Sequence, residues 1–204
     1  MNNYLLNGYE ALVPPFALEY DTWSPEKAEE YLIWYKAHIP ERVKYLSQKA
    51  NVQITEERIA PDTLKDIWAW FFRNAEIEKV PQKEHEKQRA FFARFGSRFF
   101  AETRYSVRSE YILRDIAMYL SAVFTTNYPT IHWDIIRKPK RHVNYHQPVL
   151  KGFLDTRHGK PFESFFQPDQ MVSVQAVRFR EGTGAPEDLL NLYRLWEQDI
   201  PQME

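Results

Sequence analysis

The chain has 204 residues, no cysteine and a formal net charge of -1 from 27 basic and 28 acidic residues, with 44% hydrophobic and 16% aromatic content. That much apolar material can build a core without covalent staples, while the balanced charge argues against a nucleic-acid or anionic-membrane binder held by bulk charge. Without cysteine there is no disulfide framework, thiolate zinc site or thiol nucleophile.

The opening MNNYLLNGYEALVPPF carries no basic leader before an apolar run. The longest purely apolar run, Ile67 to Phe72, is far short of the ~20 residues of a bilayer-spanning helix. A cytoplasmic protein with no membrane association is expected. Residues 1–22, with Tyr4, Leu5, Leu12, Val13 and Phe16 around Pro14-Pro15, read as an ordered arm of extended segments.

Ser24-Pro25-Glu26 is a helix start, with a serine cap, proline in the first turn and an acid suited to the helix dipole. Ala28, Tyr31, Leu32 and Tyr35 give that helix its buried face. Pro40 is expected to end it, with a second helix over 41–49 completing a helical pair. Val52 to Ile54 reads as a brief strand. Ala60-Pro61-Asp62 opens a helix carrying Leu64, Ile67, Trp68 and Phe71, and Trp70 and Phe72 make it apolar most of the way round, which places it centrally. Gln82 to Phe100 reads as a helix with a charged start and a Phe91, Phe92, Phe95, Phe99, Phe100 stripe suited to core packing, interrupted near Gly96-Ser97.

From Ser106 the strongest signals follow one another. Ile112, Ile116, Tyr119, Leu120 and Val123 share a helix face, with Arg108, Glu110, Arg114 and Asp115 assigned to its wetter side, and Tyr128-Pro129 stops the helix. Ile131, Trp133 and Ile135 then alternate with Thr130, His132 and Asp134 as a half-buried strand, and Pro148 to Leu154 can pair with it in a hairpin. After a turn containing His158-Gly159, Pro161 to Pro168 reads as irregular. Met171 to Phe179 reads as a helix with Asp169 near its start and Gly182 past its end, and Pro186 to Gln198 as a last helix with Leu189, Leu192, Tyr193 and Trp196 inward. The expected fold is α+β, a mostly helical single domain with a small antiparallel hairpin or sheet. Within it, 24–100 is the helical part and 106–198 holds helix, hairpin and C-terminal helices.

No dinucleotide, P-loop, zincin or nucleophile-elbow motif occurs, and no cofactor is indicated. Carboxylate pairs such as Glu29-Glu30, Glu56-Glu57 and Glu187-Asp188 are explained by helix dipoles and solvation. Two clusters remain. Arg137, Lys138, Lys140, Arg141 and His142, followed by Tyr145, form the concentrated charge of the chain, a basic loop suited to an acidic protein surface or to phosphates. Neutral net charge and the lack of a second basic patch favour a protein over nucleic acid, and a solvated hairpin tip is the plain alternative. His132, Asp134, His142 and His146 are of types that bind zinc or iron, which leaves a metal-dependent hydrolase as the alternative to a non-enzymatic binder.

The succession PDTLKDIWAWF, ILRDIAMYLSAVF, TIHWDII, PVLKGF and LLNLYRLWE, over roughly residues 60–198, resembles small uncharacterised bacterial α+β proteins, some of toxin-immunity type. The resemblance implies a non-enzymatic protein that binds and neutralises a toxin. It carries no catalytic residues to transfer and does not extend to the basic loop.

Overall fold

A computed structural model describes residues 3–55, 58–92, 101–156 and 160–201. The chain opens with an antiparallel hairpin of β1 (Asn3–Leu6) and β2 (Tyr9–Leu12). Asn7 and Gly8 both take positive φ (47° and 80°), the turn whose twist matches that of the flanking strands. The expected arm of extended segments is thus a hairpin followed by a loop and a short 3-10 turn at Tyr20–Thr22.

Helix α1 (Pro25–Ala50) starts where expected: the Ser24 hydroxyl accepts a hydrogen bond from the Lys27 amide at 3.2 Å. It does not stop at Pro40. Instead of a helical pair there is one 26-residue helix with the proline inside it. The ring removes one backbone donor, but Tyr31, Leu32 and Tyr35 before it and Val43 and Leu46 after it are all buried, and this packing holds both halves in one helix. Val52 to Ile54, expected as a strand, is irregular.

Helix α2 (Thr63–Asn74) is buried through Leu64, Ile67, Trp68, Trp70 and Phe71, the central placement its composition implied. Strand β3 (Ile77–Lys79) pairs antiparallel with β4 (Thr103–Tyr105), with α3 (Gln82–Phe92) between them in sequence. Of the expected aromatic stripe, Phe95, Phe99 and Phe100, with Gly96-Ser97, lie outside the described residues, as do Glu56-Glu57 and His158-Gly159.

Helix α4 (Val107–Asn127), capped by Ser106, is the spine of the molecule and packs against α1, α2, α5 and β2. Its expected wet side needs correction. Asp115 is only 2% exposed and Arg114 is half-buried. Strands β5 (His132–Ile135), β6 (Pro148–Asp155) and β7 (Phe162–Phe166) form a three-stranded antiparallel sheet in that order, so the segment expected to be irregular after Pro161 is a strand. The pairing of β6 with β7 shifts between Leu150 and Phe153. Gly152 sits there at φ 104°, where an added Cβ would lie 2.6 Å from the Thr130 carbonyl oxygen, so only glycine fits the bulge. Helices α5 (Pro168–Arg180) and α6 (Asp188–Glu197) complete an α+β fold, 51% helical.

The main core gathers α2, α4, α6 and the inner face of β6. A second cluster, with Leu12, Trp23, Tyr31, Tyr35, Met118 and Ile135, lies under the N-terminal half of α1. Among the described residues no helix is long and apolar enough to cross a membrane.

Candidate functional site: a tethered basic loop and a half-buried charge cluster

Residues 136–147 join β5 to β6. The base of this loop is closed by the His146 amide donating to the Ile136 carbonyl at 2.8 Å, and its turn by the His142 amide donating to the Pro139 carbonyl at 2.8 Å. Arg137 is exposed but tied down. Its guanidinium donates to Asp134 at 2.6 Å and to Glu29 of α1, and Asp134 also holds Lys151 at 2.9 Å. Partial burial pushes the Asp134 carboxyl up, but the bonds from Arg137 and Lys151 prevail and hold it at about 2. The loop is therefore anchored to both the sheet and α1.

On this anchored frame Lys138, Lys140 and Arg141 are exposed and form no ion pair among the described residues, beside Val143, which is 74% exposed. The His142 ring rests 5.3 Å from that of Phe165, and its Nδ1 accepts from the Asn144 amide at 3.0 Å. Tyr145 is half-buried and stacks on His146 at 3.8 Å. Of the six residues expected to bind a partner, three thus present free charge, one is spent on anchoring and two support the loop from beneath.

The four potential metal ligands are dispersed in role. His132 is exposed, with Nδ1 3.0 Å from the Thr130 carbonyl oxygen. Asp134 is held by its two cations, His142 by Asn144, and His146 is 2% exposed in a left-handed conformation (φ 61°) with Nδ1 buried and unpartnered. Among the described residues no three His, Asp or Glu side chains form a group able to hold a metal ion.

A second feature escaped the sequence reading. Arg114 of α4, Asp169 in the first turn of α5, Tyr31 and Tyr35 of α1, and Tyr20 of the 3-10 turn lie within electrostatic reach of one another. Tyr31 and Tyr35 had read as core, Asp169 as a helix-start acid and Arg114 as part of a wet helix face. Tyr35 donates a long hydrogen bond of 3.5 Å to Asp169. The Tyr20 and Tyr31 ring centroids lie 5.9 Å apart, and Trp23 lies 5.1 Å from Tyr31. Arg114 forms neither an ion pair nor a hydrogen bond among the described residues, and its Nη1 is buried without an acceptor. Tyr31 and Tyr35 are buried, whereas Arg114, Asp169 and Tyr20 remain partly reachable from solvent.

The cluster carries both signs of charge. Burial pushes the Asp169 carboxyl up, against the pull of Arg114 and Tyr35. Burial opposes the charge on Arg114, yet the phenols and Asp169 keep it protonated. Burial also pushes Tyr20 up to about 12 and raises Tyr31 and Tyr35 well above the usual phenol value, so all three are neutral hydroxyls at neutral pH, able to donate and accept. The available signal in the sequence was the composition of α4: a helix apolar around nearly its whole circumference has little wet face, so its charges must find partners or a ligand.

Compared with protein-family models, curated proteins and solved structures, the chain matches none.

Proposed function

We propose that this is a non-enzymatic binding protein of the bacterial cytoplasm that takes an acidic protein partner on the 136–147 loop, in the manner of immunity proteins that neutralise a toxin. The observation that carries this reading is three unneutralised cations within residues 138–141, on a loop whose base is fixed by Arg137, Asp134 and Glu29. Other surface arginines, such as Arg104 with Glu78 and Glu84 and Arg194 with Asp62, are answered locally. A cluster left unanswered on a pre-ordered frame suits a partner of opposite charge, because little ordering entropy remains to be lost on binding. The near-neutral chain favours a protein over nucleic acid as that partner.

The test compares wild type with the triple variant Lys138→Glu, Lys140→Glu, Arg141→Glu as bait in lysate. Retained proteins are identified by mass spectrometry, then purified and titrated calorimetrically. An acidic protein bound by wild type and weakened ~10- to 100-fold by the triple reversal is expected. A partner that binds both baits equally rejects the loop assignment. Retention of nuclease-sensitive material, with affinity falling steeply with salt, would replace the protein partner by nucleic acid.

A further inference from the structure

We propose that Asn7 is a site of spontaneous covalent modification: its side chain closes on the Gly8 amide nitrogen, loses ammonia and reopens as aspartate or isoaspartate, which unties the N-terminal hairpin from Glu76. The inference does not rest on the basic loop, which shares no residue with this turn.

Ring closure of this kind needs a following main-chain nitrogen that is free to attack, unshielded by a side chain and surrounded by water. Asn7-Gly8 is the one Asn-Gly pair in the sequence. Leu6 and Tyr9 form the last pair of the β1–β2 ladder, so the Gly8 amide lies within the turn and outside the ladder. Both turn residues are exposed, and a Cβ built on Gly8 would meet no atom within 4 Å. Asn51 supplies the contrast. It too is exposed and left-handed, with φ 56° against 47° at Asn7. There, however, the nitrogen that would attack belongs to Val52, donates to the Ser47 carbonyl at 2.9 Å in the cap of α1, and carries a stiff β-branched side chain. The two asparagines share a backbone conformation and differ in the freedom of the next nitrogen.

The Gly8 nitrogen gives its proton to water and attacks Asn7 Cγ. The N–Cγ bond forms, the Cγ–Nδ2 bond breaks, and the amide takes up a proton and leaves as ammonia. Water then opens the five-membered ring. Addition at Cγ breaks the new bond and gives aspartate, whereas addition at the Asn7 main-chain carbonyl breaks the original peptide bond and gives isoaspartate. No electrons are gained or lost, and water is the only co-reactant.

Either product changes what the turn holds. Asn7 Nδ2 donates to Glu76 Oε1 at 3.4 Å, and the same carboxylate receives the Ser106 hydroxyl at 2.9 Å and Arg108 at 3.3 Å. A carboxylate at position 7 loses that donor and sets a like charge beside Glu76. Isoaspartate also routes the main chain through Cβ, lengthening by one atom a turn whose geometry fixes the strand register. Tyr9, the next residue after the turn, is the one that reaches Asp115.

The experiment incubates the full chain at neutral pH and physiological temperature beside the free peptide LLNGYEA, and follows both by digestion and mass spectrometry with an enzymatic assay for isoaspartate. Loop tips open at little cost, so conversion at Asn7 within ~10-fold of the peptide rate is expected, with Asn51 intact. Slower conversion, or loss at Asn51 as fast as at Asn7, overturns the proposal. The converted protein, separated by ion exchange, should unfold at a lower urea concentration than fresh protein, and Asn7→Asp should reproduce part of that shift. Equal midpoints for fresh and converted protein overturn the untying of the hairpin.

Discussion

Arg114 and Asp115 are adjacent on α4, about 100° apart around the helix, and meet opposite surroundings. Asp115 faces α1 and the N-terminal hairpin, where Arg42 donates through Nε at 3.0 Å and Nη2 at 2.5 Å and the Tyr9 hydroxyl donates as well. The remaining capacity of that Nη2 goes to the Glu10 carbonyl at 2.7 Å, and Arg42 and Asp115 are 1% and 2% exposed. Arg114 lies with its guanidinium 5.5 Å from the Tyr111 ring, half-buried, with a buried donor unmet. One charge is closed by hydrogen bonds and the other is not. Burial alone does not distinguish them, but completeness of hydrogen bonding does.

Breaking the closed side should have the largest effect. Asp115→Ala leaves the Arg42 guanidinium buried without its counter-ion, and a loss of ~3–5 kcal/mol in urea unfolding is expected. Replacing both partners by apolar side chains should cost less than either single change. On the open side, Arg114→Met removes a charge with no bonded partner, and we expect a loss below ~1.5 kcal/mol. Equal losses at positions 114 and 115 would erase the distinction.

A smaller effect concerns Asp134 and is visible only in acid. Its folded carboxyl titrates at about 2, below the ~3.9 of an unfolded aspartate. The stability it contributes is complete above the unfolded value and lost as pH falls from about 4 towards about 2. After screening at a partly exposed site this should amount to ~1 kcal/mol. Asp134→Asn should remove that part of the pH slope in unfolding measured across the window, and an unchanged slope would dissociate Asp134 from the loop anchor. Smallest of all should be the triple reversal of Lys138, Lys140 and Arg141, within ~0.5 kcal/mol of wild type, since these side chains bond nothing among the described residues. A large loss there would mean that the cations stabilise the fold and are not held in reserve for a partner.

The elements legible in the sequence were those whose pattern and packing agree. Helix α4 follows from Ile112, Ile116, Tyr119, Leu120 and Val123 at helical spacing between Ser106 and Tyr128-Pro129, and β5 from its strict alternation. Strands β3 and β4 have three residues each, too short for any period to register, and Phe162–Phe166 sets two aromatics side by side, which hides its alternation. Pro40 misled because the breaking tendency of a proline is local, whereas the packing of Tyr35 and Val43 that overrides it is tertiary. The basic loop was legible as composition, but the tying down of Arg137 depends on Glu29, 108 residues away. Arg114 and Asp115 were hidden for the same reason: periodicity assigns charge to solvent, and the partners that bury it, or fail to, come from distant parts of the chain.

The bond between Tyr9 and Asp115 spans 106 residues of sequence. A chain emerging from the ribosome exposes Tyr9 and Arg42 long before α4 exists to receive them, so the polar centre of the molecule is assembled late in synthesis. Closing so long a loop carries an entropic cost that no local helix or hairpin repays until the whole core condenses. The first dozen residues, although bonded to α1 through Glu10 and Gly8, thus meet α4 only once Asp115 has been made.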